Sequence, residues 1–514
     1  MKISKQLCNM VSTSLIFTLF LASTVNTQTD FVNSTLLNQD AQIPAYADEV
    51  STTNKELIYQ TLKDGFDNLQ TSIDFVGKGV TSTEVMACIY PFLNENPMYD
   101  YVTEPIYTDS DGNVVLNDEG NATYTFVCKR DADGYAKRLI VDYNVSTVEE
   151  AEQYKQEFID NMDRLITETN VNSVSSTVEK ILLVHDYFET EFKYSEDVPY
   201  ERAYGLFKYK AGVCSAYAIA FKYVMNYLGI PCEIVNSYSM SHSWNVVQVD
   251  GEWYHVDTTW DDPLVDILGC SYHRCLLVSD AEIMNQGHYD WETSYECTST
   301  KYDNYIWKDV KTQAQYYDGS IYYLDNEDNF VKVDVLENTS TVIFNIPRSQ
   351  WGSNEGGLRT YTAVIIKDGI VYYNDNRNIY ARKVDGSDTP ISVFSLTDDQ
   401  YVGCNMYGLY MNDDGDFTTS IKSSADATDN FVEIKIDDAL NFDSGKNQDD
   451  VLNLDVNGDG FIDIMDFLAV KNHIYLNGTY DKTYDVNLDG EVSNIDLLLL
   501  KKNIFNTTNT DTSE

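Results

Sequence analysis

The sequence lacks any apolar run long enough to cross a membrane. A membrane-spanning helix needs about 18 or more consecutive apolar residues, and the apolar run at residues 15–22 is far shorter. Lys2 and Lys5 precede that run, and a basic start before a short apolar stretch is typical of an export signal. We therefore expect residues 1–30 to be a signal peptide and the mature protein to be secreted and extracellular, without a transmembrane anchor.

Basic residues are also scarce. Lys and Arg number 35 against 82 Asp and Glu, which gives a net charge of −47. Such a charge repels phosphate backbones and anionic membranes, so nucleic acid is excluded as a partner. The chain is nevertheless not disordered, because 43% of its residues are hydrophobic and 13% are aromatic. Its 514 residues predict two to four domains.

A cysteine framework and a glycosidase-type carboxylate pair are missing as well. The eight cysteines that follow Cys8 are scattered, and only Cys270 and Cys275 lie close together. We expect mostly buried free thiols, although the pairing stays open at this point. No convincing carboxylate pair for glycoside hydrolysis is identifiable among the 82 acidic residues, which disfavours that class of enzyme.

Residues 50–300 have mixed helical and strand patterns. Thr81 and Glu84 have the spacing of a capping box and predict the start of one helix. Strand-forming residues flank a polar turn at residues 131–134 and predict a β-hairpin. Further helical periodicity covers residues 54–75, 147–168 and 178–194.

Residues 301–437 show no helical pattern and predict an all-β segment. Short Tyr-rich strands alternate there with Asp, Asn and Gly turns. The phrase that begins at Asp318 recurs 50 residues later at Asp368, with a weaker echo at Tyr407. Two or three copies are too few to close a propeller ring, so an open stack of blades and a sandwich are equally compatible with the pattern. Residues 438–450 have the composition of a polar linker.

Cys214 is placed at the start of a helix that the sequence predicts up to Leu228, before the helix-ending Gly229. At a helix N-terminus, the dipole and the backbone N–H groups stabilise a thiolate and donate to an oxyanion. A lone cysteine at such a position is more often a packing residue. The downstream sequence strengthens the catalytic interpretation.

A predicted β-hairpin follows, with its turn at Asp250 and Gly251. A two-residue turn there pairs Trp244 with Asp257 across the two strands. His242 then lies diagonally opposite Asp257 on the same face, within reach of its carboxylate. The hairpin therefore adds a base and an orienting acid to the nucleophile.

The phrases GVCSAYAIAF, HSWNVV and WYHVDTTWDDP resemble the transglutaminase-like superfamily, whose core is related to papain-type thiol enzymes. The resemblance extends over residues 178–291, within a domain that we place at 50–300. It implies that Cys214 is the nucleophile, His242 the general base and acid, and Asp257 the residue that orients the imidazole. Tyr204 is a candidate oxyanion donor.

Other polar and aromatic residues of this region have a packing interpretation. Three tryptophans are candidates to line an acyl cleft, although aromatic strand residues more often belong to a core: Trp244, Trp253 and Trp260. Four further histidines are expected to be non-catalytic: His185, His255, His273 and His288.

Two calcium loops, LDVNGDGFIDIMDF and YDVNLDGEVSNIDL, lie 30 residues apart near the C-terminus. Each places oxygen donors at loop positions 1, 3, 5, 7, 9 and 12, with Gly at position 6. The first set is Asp455, Asn457, Asp459, Phe461 through its carbonyl, Asp463 and Asp466. The second set is Asp485, Asn487, Asp489, Glu491 through its carbonyl, Ser493 and Asp496. The pattern predicts two Ca²⁺ ions.

These loops differ from ordinary EF-hands because position 12 is Asp and each loop has only its exit helix. Residues 451–506 therefore resemble a type I dockerin, a module of paired half EF-hands. The resemblance implies calcium-dependent binding to a cohesin of a scaffoldin and a place in a cell-surface cellulosome complex. Eight helix positions would face the cohesin, although Met465 and Ile495 are also compatible with core packing: Ile464, Met465, Lys471, Asn472, Asn494, Ile495, Lys501 and Lys502.

The sequence thus predicts a multidomain α+β protein with a papain/transglutaminase-like catalytic core, an all-β middle segment and a small α-helical dockerin. The favoured function is a secreted, cellulosome-associated cysteine enzyme that acts on protein or peptide amide bonds, by proteolysis or by acyl transfer through a thioester. The alternative is a catalytically inactive adhesion or assembly component in a polysaccharide-degrading complex.

Overall fold

A computed structural model describes two compact units, Met1–Ile436 and Asp437–Glu514. In the first unit it describes residues 50–109, 112–117, 120–197, 202–262, 268–308, 310, 312–346, 361–397, 401–412, 415–424 and 427–435. In the second it describes residues 454, 456–457, 464–475, 481–486, 492, 496–497 and 500–501. The predicted signal peptide (1–30) and linker (438–450) lie outside the described residues.

The fold mixes helices and sheets. The helices of the first unit are α1 (Thr52–Asp67), α2 (Ser82–Glu95), α3 (Val148–Glu168), α4 (Thr177–Glu191), α5 (Ala203–Tyr209), α6 (Cys214–Tyr227), α7 (Thr258–Asp261) and α8 (Asp280–Gln286). Its first ten strands are β1 (Ser72–Asp74), β2 (Val102–Thr103), β3 (Val127–Arg130), β4 (Ala136–Ile140), β5 (Asp142–Tyr143), β6 (Lys193–Tyr194), β7 (Ala211–Gly212), β8 (Cys232–Ser237), β9 (His242–Val249) and β10 (Glu252–Val256).

An N-terminal layer of α1, α2 and the sheet β1-β4-β3 encloses its own apolar core. The predicted capping box at the start of α2 is present: the Thr81 side chain accepts from Glu84 N, and the Glu84 carboxylate accepts from Thr81 N. The predicted hairpin is also present, since β3 and β4 pair in antiparallel fashion. Both features were predictable because each depends on residues close together in the chain.

The central layer consists of α6 packed against the antiparallel sheet β10-β9-β8. Asn245 of β9 donates its side-chain N–H to the carbonyl of Ala218 in α6 at 2.9 Å, which joins the helix to the sheet. Helix α4 packs against α6 on the same core, where Phe188 and Phe221 meet edge to face. This layer positions the residues of the predicted thiol site.

The β-rich segment forms three antiparallel sheets in succession, of four, four and three strands, here called blades. Its strands are β11 (Gln315–Tyr317), β12 (Ser320–Leu324), β13 (Asn329–Asp334), β14 (Thr339–Asn345), β15 (Val364–Lys367), β16 (Ile370–Asn374), β17 (Asn378–Lys383), β18 (Ile391–Ser395), β19 (Asn405–Met411), β20 (Phe417–Lys422) and β21 (Phe431–Ile434). The predicted repeats correspond to β11–β14 and β15–β18. Residues Trp307 and Tyr323 belong to the same buried core as α4 and α6, so the blades and the thiol region pack as one unit.

Within the second unit, α9 (Ile464–Tyr475) packs in a small apolar core. That core includes Val456, Val470, Val486 and Leu500. Among the described residues of the whole chain, no helix has the length and apolar character needed to cross a membrane. All eight described cysteines are outside disulfides and five of them are buried, which confirms the expectation of mostly buried free thiols.

Candidate active site

Cys214 is the first residue of α6 and is half-buried. The preceding residue, Val213, has no side-chain oxygen with which to cap the helix, so no side chain competes at this end for the first-turn amides. At Gly212, an added Cβ would lie 3.0 Å from a Leu206 carbon and 3.1 Å from the Ala216 Cβ. The glycine therefore allows the chain to approach α5 and α6 closely just before the thiol.

The hairpin register is as predicted: Glu252 pairs with Val249, and the pairing continues to Val256. Asp250 and Gly251 both have positive φ, of 53° and 88°, as a two-residue type I′ turn requires. Strand β10 ends at Val256, one residue earlier than the sequence predicts. Asp257 is the N-cap of α7 rather than a strand residue, and its Oδ1 accepts the N–H groups of the second and third helical residues at 3.0 Å each.

The structure brings together the three residues predicted to be catalytic. His242 Nε2 lies 2.6 Å from Asp257 Oδ2, and the Cys214 thiol is near enough to the same imidazole to affect its pKa. Burial disfavours the charged ring, but the carboxylate and the thiol outweigh it and raise the pKa of His242 to about 10. Burial likewise opposes ionisation of Asp257, yet the neighbouring histidines hold its pKa well below the usual range.

A second histidine contacts the same carboxylate, and sequence reasoning missed it. His288 Nε2 lies 2.7 Å from Asp257 Oδ2, and its side chain is fully buried. Its Nδ1 has no hydrogen-bond partner among the described residues. The ring packs 4.1 Å from Trp260 and 4.8 Å from Trp244, measured between ring centroids. No local pattern marks His288, because only the tertiary fold brings its loop to Asp257.

The three candidate cleft tryptophans have different places. Trp260 is 36% exposed and its ring centroid lies 5.7 Å from that of His242, so it borders the opening of the site. Trp244 is buried and stacks on His242 at 5.5 Å. Trp253 packs against Tyr295 at 4.2 Å, and both border the apolar cluster that contains Trp244.

The predicted calcium loops are only partly described. Asp466 Oδ1 accepts from Asn457 N at 3.0 Å, and Asp496 Oδ1 accepts from Val486 N at 2.7 Å. In each loop the residue at position 12 therefore folds back to the start of the loop. Asp466, Asp485 and Asp496 are buried. Eight predicted ligands lie outside the described residues: Asp455, Asp459, Phe461, Asp463, Asn487, Asp489, Glu491 and Ser493.

Comparison with known protein families gives two matches. Residues 165–258 match the transglutaminase-like superfamily, a span that contains Cys214, His242 and Asp257. Residues 453–505 match the type I dockerin domain. The chain contains a transglutaminase-like domain and a C-terminal type I dockerin domain. No curated protein matches the chain.

Two solved structures are similar to parts of the chain. One is a crystal structure of a TGase, with 18% identity, a TM-score of 0.20, and coverage of 30% of this chain and 49% of that chain. The other is the periplasmic domain of TgpA from Pseudomonas aeruginosa bound to ethylmercury, with 15% identity, a TM-score of 0.17, and coverage of 32% and 66%. The chain thus spans less than two thirds of the length of either.

Within the transglutaminase-like domain, the other polar candidates have partners of their own. The Tyr204 hydroxyl donates to Glu157 at 2.6 Å and lies 2.8 Å from Lys208 Nζ, so it is engaged on α3 and α5 and does not serve as an oxyanion donor. His255 Nδ1 accepts from Trp244 Nε1 at 3.0 Å, and its Nε2 faces Asp280. His185 and His273 are buried, and both contact a different carboxylate, that of Asp186.

In the dockerin domain, Met465 is 54% exposed, and Lys471 and Asn472 are also exposed. Met465 therefore does not belong to the apolar core. The side chain of Ile464, and residues Asn494 and Ile495, lie outside what the structure describes.

Proposed function

We propose that the chain is a secreted cysteine enzyme that acts on protein or peptide amide bonds and is attached to a scaffoldin cohesin through its dockerin domain. The observation that supports catalysis most directly is the 2.6 Å contact of His242 with the Asp257 carboxylate, near the Cys214 thiol at the start of α6. A buried histidine between a thiol and a carboxylate is the arrangement that activates a sulfur nucleophile.

The chemistry follows from the hydrogen bonds. Because Nε2 of His242 faces the carboxylate acceptor, it carries a proton, and Nδ1 is the nitrogen that takes the proton from the Cys214 thiol. The thiolate adds to the amide carbonyl carbon, and the backbone N–H groups at the start of α6 are the donors nearest the developing oxyanion. His242 then protonates the departing amine, and a thioester remains on Cys214. Water releases a carboxylic acid, whereas a primary amine releases a new amide.

The localisation follows from the dockerin domain. Type I dockerin domains bind calcium and cohesins, so the enzyme would work in a multienzyme complex outside the cell. The twelve ligands predicted above would hold two Ca²⁺ ions through carboxylate, amide, hydroxyl and carbonyl oxygens. The substrate would be a protein or peptide in that complex or near it.

The alternative is a catalytically inactive component that uses the same fold for adhesion or assembly. One observation is relevant to it: Trp260 offers an exposed aromatic surface beside the thiol. Thiol reactivity distinguishes this alternative from the enzyme.

The test is labelling of the purified mature protein with iodoacetamide between pH 5 and 9, with the modified thiol located by mass spectrometry. An activated nucleophile labels well below pH 8, because it exists as a thiolate beside an imidazolium. Cys404, which is also half-buried and whose sulfur lies near a backbone carbonyl, is the matched internal control. If iodoacetamide labelled Cys214 and Cys404 with the same dependence on pH, the result would contradict the enzyme proposal.

A second arm measures turnover with casein, with and without a fluorescent primary amine. Cys214→Ala should lower either product by about 10⁴-fold or more, while Cys404→Ala should leave turnover unchanged. Release of new N-termini indicates hydrolysis, and fluorescent casein indicates acyl transfer to the amine.

A further inference from the structure

A second histidine–carboxylate cluster lies buried in the first unit, outside the Cys214 site. His185 Nδ1 and His273 Nε2 each lie 2.9 Å from the same atom, Asp186 Oδ1. The other oxygen of Asp186 accepts the backbone N–H of Ala314 at 2.6 Å. All three clustered side chains are 1% exposed or less. The cluster therefore joins α4, the loop after α7 and the first blade.

The outer nitrogens of both rings also face acceptors. His185 Nε2 lies 3.2 Å from Asp261 Oδ2, and His273 Nδ1 lies 3.2 Å from the carbonyl oxygen of Val310. A neutral imidazole has one N–H, so two neutral rings supply two protons for four contacts with acceptors. If the outer nitrogens donate, His185 Nδ1 and His273 Nε2 both direct lone pairs towards Asp186 Oδ1. In that arrangement the three inner atoms form a donor set for one cation.

Further buried carboxyl groups lie around the cluster. Glu189, one turn after His185 on α4, is 1% exposed, and neither of its carboxylate oxygens has a hydrogen-bond partner among the described residues. Its Oε1 lies 3.8 Å from His185 Nε2. Asp261 and Asp262 are also buried nearby. A cation at the cluster would therefore lie among several buried carboxyl groups, whose oxygens favour its binding.

We propose that His185 Nδ1, Asp186 Oδ1 and His273 Nε2 bind one divalent transition-metal ion, with Zn²⁺ the best match. Two imidazole nitrogens and one carboxylate oxygen form a donor set that zinc uses. Tetrahedral bonds of about 2.0–2.2 Å place neighbouring ligand atoms about 3.3–3.6 Å apart. The two 2.9 Å separations would therefore widen by about 0.4–0.7 Å when the ion binds. The Ser271 hydroxyl, 3.4 Å from Asp186 Oδ1, is the nearest further oxygen donor.

The outer contacts are those expected of metal-bound histidines. Such rings donate their second N–H to a carboxylate or a backbone carbonyl, which fixes the tautomer. His185 has the carboxylate of Asp261 in this place, and His273 has the carbonyl of Val310. Asp261 ends α7, the short helix that begins at Asp257. The ion would therefore stabilise the support of the catalytic acid without touching the substrate, whether or not Cys214 is catalytic.

The test is the metal content of the full chain, with any histidine tag removed, after incubation with one equivalent of ZnCl₂ and dialysis against metal-free buffer. Elemental analysis should find about one zinc per chain in the wild type and in Cys214→Ala. His273→Phe should lower the zinc content at least about tenfold, and His273→Cys, which restores a zinc ligand, should recover it. His255→Gln is the control for a buried histidine outside the cluster.

Cobalt substitution of the wild-type protein keeps the test decisive if the His273 variants do not fold. Cobalt bound by the proposed nitrogen and oxygen ligands should give visible absorption without a thiolate-to-cobalt charge-transfer band. A wild-type protein with no retained zinc would overturn the proposal. A thiolate band in the cobalt protein, or full zinc content in folded His273→Phe, would also overturn it.

Discussion

At the scale of single residues, the oxygen Oδ2 of Asp257 is shared by two imidazole rings, at 2.6 Å from His242 and 2.7 Å from His288. A carboxylate only accepts, so both rings present Nε2–H to it. This fixes the tautomer of His242 with Nδ1 as the basic nitrogen. His288 therefore holds the carboxylate in position through a second hydrogen bond.

His288→Phe should therefore slow the enzyme while keeping the ring packing on Trp260. A hydrogen bond to a charged group contributes about 1.5–3 kcal/mol, so we expect about a 10- to 100-fold lower kcat/KM, mainly through kcat. His288→Gln retains an N–H at a similar distance and should recover much of the loss. The measurement is casein turnover together with the pH profile of Cys214 labelling. Equal turnover of wild type and His288→Phe would show that the second ring is not needed.

His242 makes the stability of the first unit depend on pH. Its pKa is about 10 in the folded chain and about 6.5 in an unfolded one, so folding takes up a proton between these values. The stabilisation is fully present below about pH 6.5 and is lost as the pH rises towards 10. His242→Asn should therefore show a smaller fall in the thermal unfolding midpoint across this window than the wild type. Parallel curves for the two proteins would contradict the assigned pKa.

The three catalytic candidates were predictable because each depends on a local pattern. The helix start at Cys214 and the two-residue turn at Asp250 fix the backbone over a few residues, and the register carries His242 to Asp257. His288 was not predictable, because its loop has no periodicity and reaches Asp257 only through packing against Trp260. The same holds for His185 and His273, which meet on Asp186 from segments 87 residues apart.

At the scale of secondary-structure elements, the β9–β10 turn controls the distance between His242 and Asp257. Gly251 has φ of 88° and nothing within 4 Å of an added Cβ, so alanine there would cost only backbone strain, about 1–2 kcal/mol. Gly319 in the β11–β12 turn has φ of 74° and the same open surroundings. The two glycines therefore form a matched pair.

Gly251→Ala and Gly319→Ala should lower the unfolding midpoint of the first unit by similar amounts. Only Gly251→Ala should also lower kcat for casein, because its turn sets the register that brings base and acid together. Urea or thermal unfolding measures the first effect, and turnover at saturating casein measures the second. Comparable loss of kcat in both variants would indicate a general loss of folded protein instead of a register effect.

Element prediction succeeded where the signal is local and failed at one boundary that affects function. The capping box of α2 and the type I′ turn at Asp250 and Gly251 followed from two or three residues each. The end of β10 did not follow from the local sequence. Asp257 does not continue the strand, because its side chain accepts two backbone N–H groups and caps α7. The packing of the blades on the transglutaminase-like core was also beyond the pattern, since it depends on the buried Trp307 and Tyr323.

At the scale of the whole molecule, the dockerin domain and the first unit should respond differently to calcium. Three buried carboxylates, Asp466, Asp485 and Asp496, lie beside a small apolar core. Without a cation, their mutual repulsion outweighs what a core of this size contributes. Calcium binding offsets the repulsion, so its binding free energy becomes folding free energy for this domain. The first unit has a much larger core around α4 and α6, and it contains none of the twelve predicted calcium ligands.

Addition of EGTA to the full chain should therefore unfold residues 453–505 and abolish cohesin binding. EGTA is chosen because it binds calcium far more tightly than magnesium. Limited proteolysis with mass spectrometry locates the unfolded segment, and a cohesin pull-down measures partner binding in the same samples. Asp485→Ala should behave in calcium as the wild type does in EGTA, whereas Asp481→Ala, outside the twelve predicted ligands, should keep both properties. If residues 453–505 resisted proteolysis and still bound cohesin in EGTA, folding and cohesin binding would not depend on calcium. The domain would then fold although its carboxylates are not neutralised by an ion.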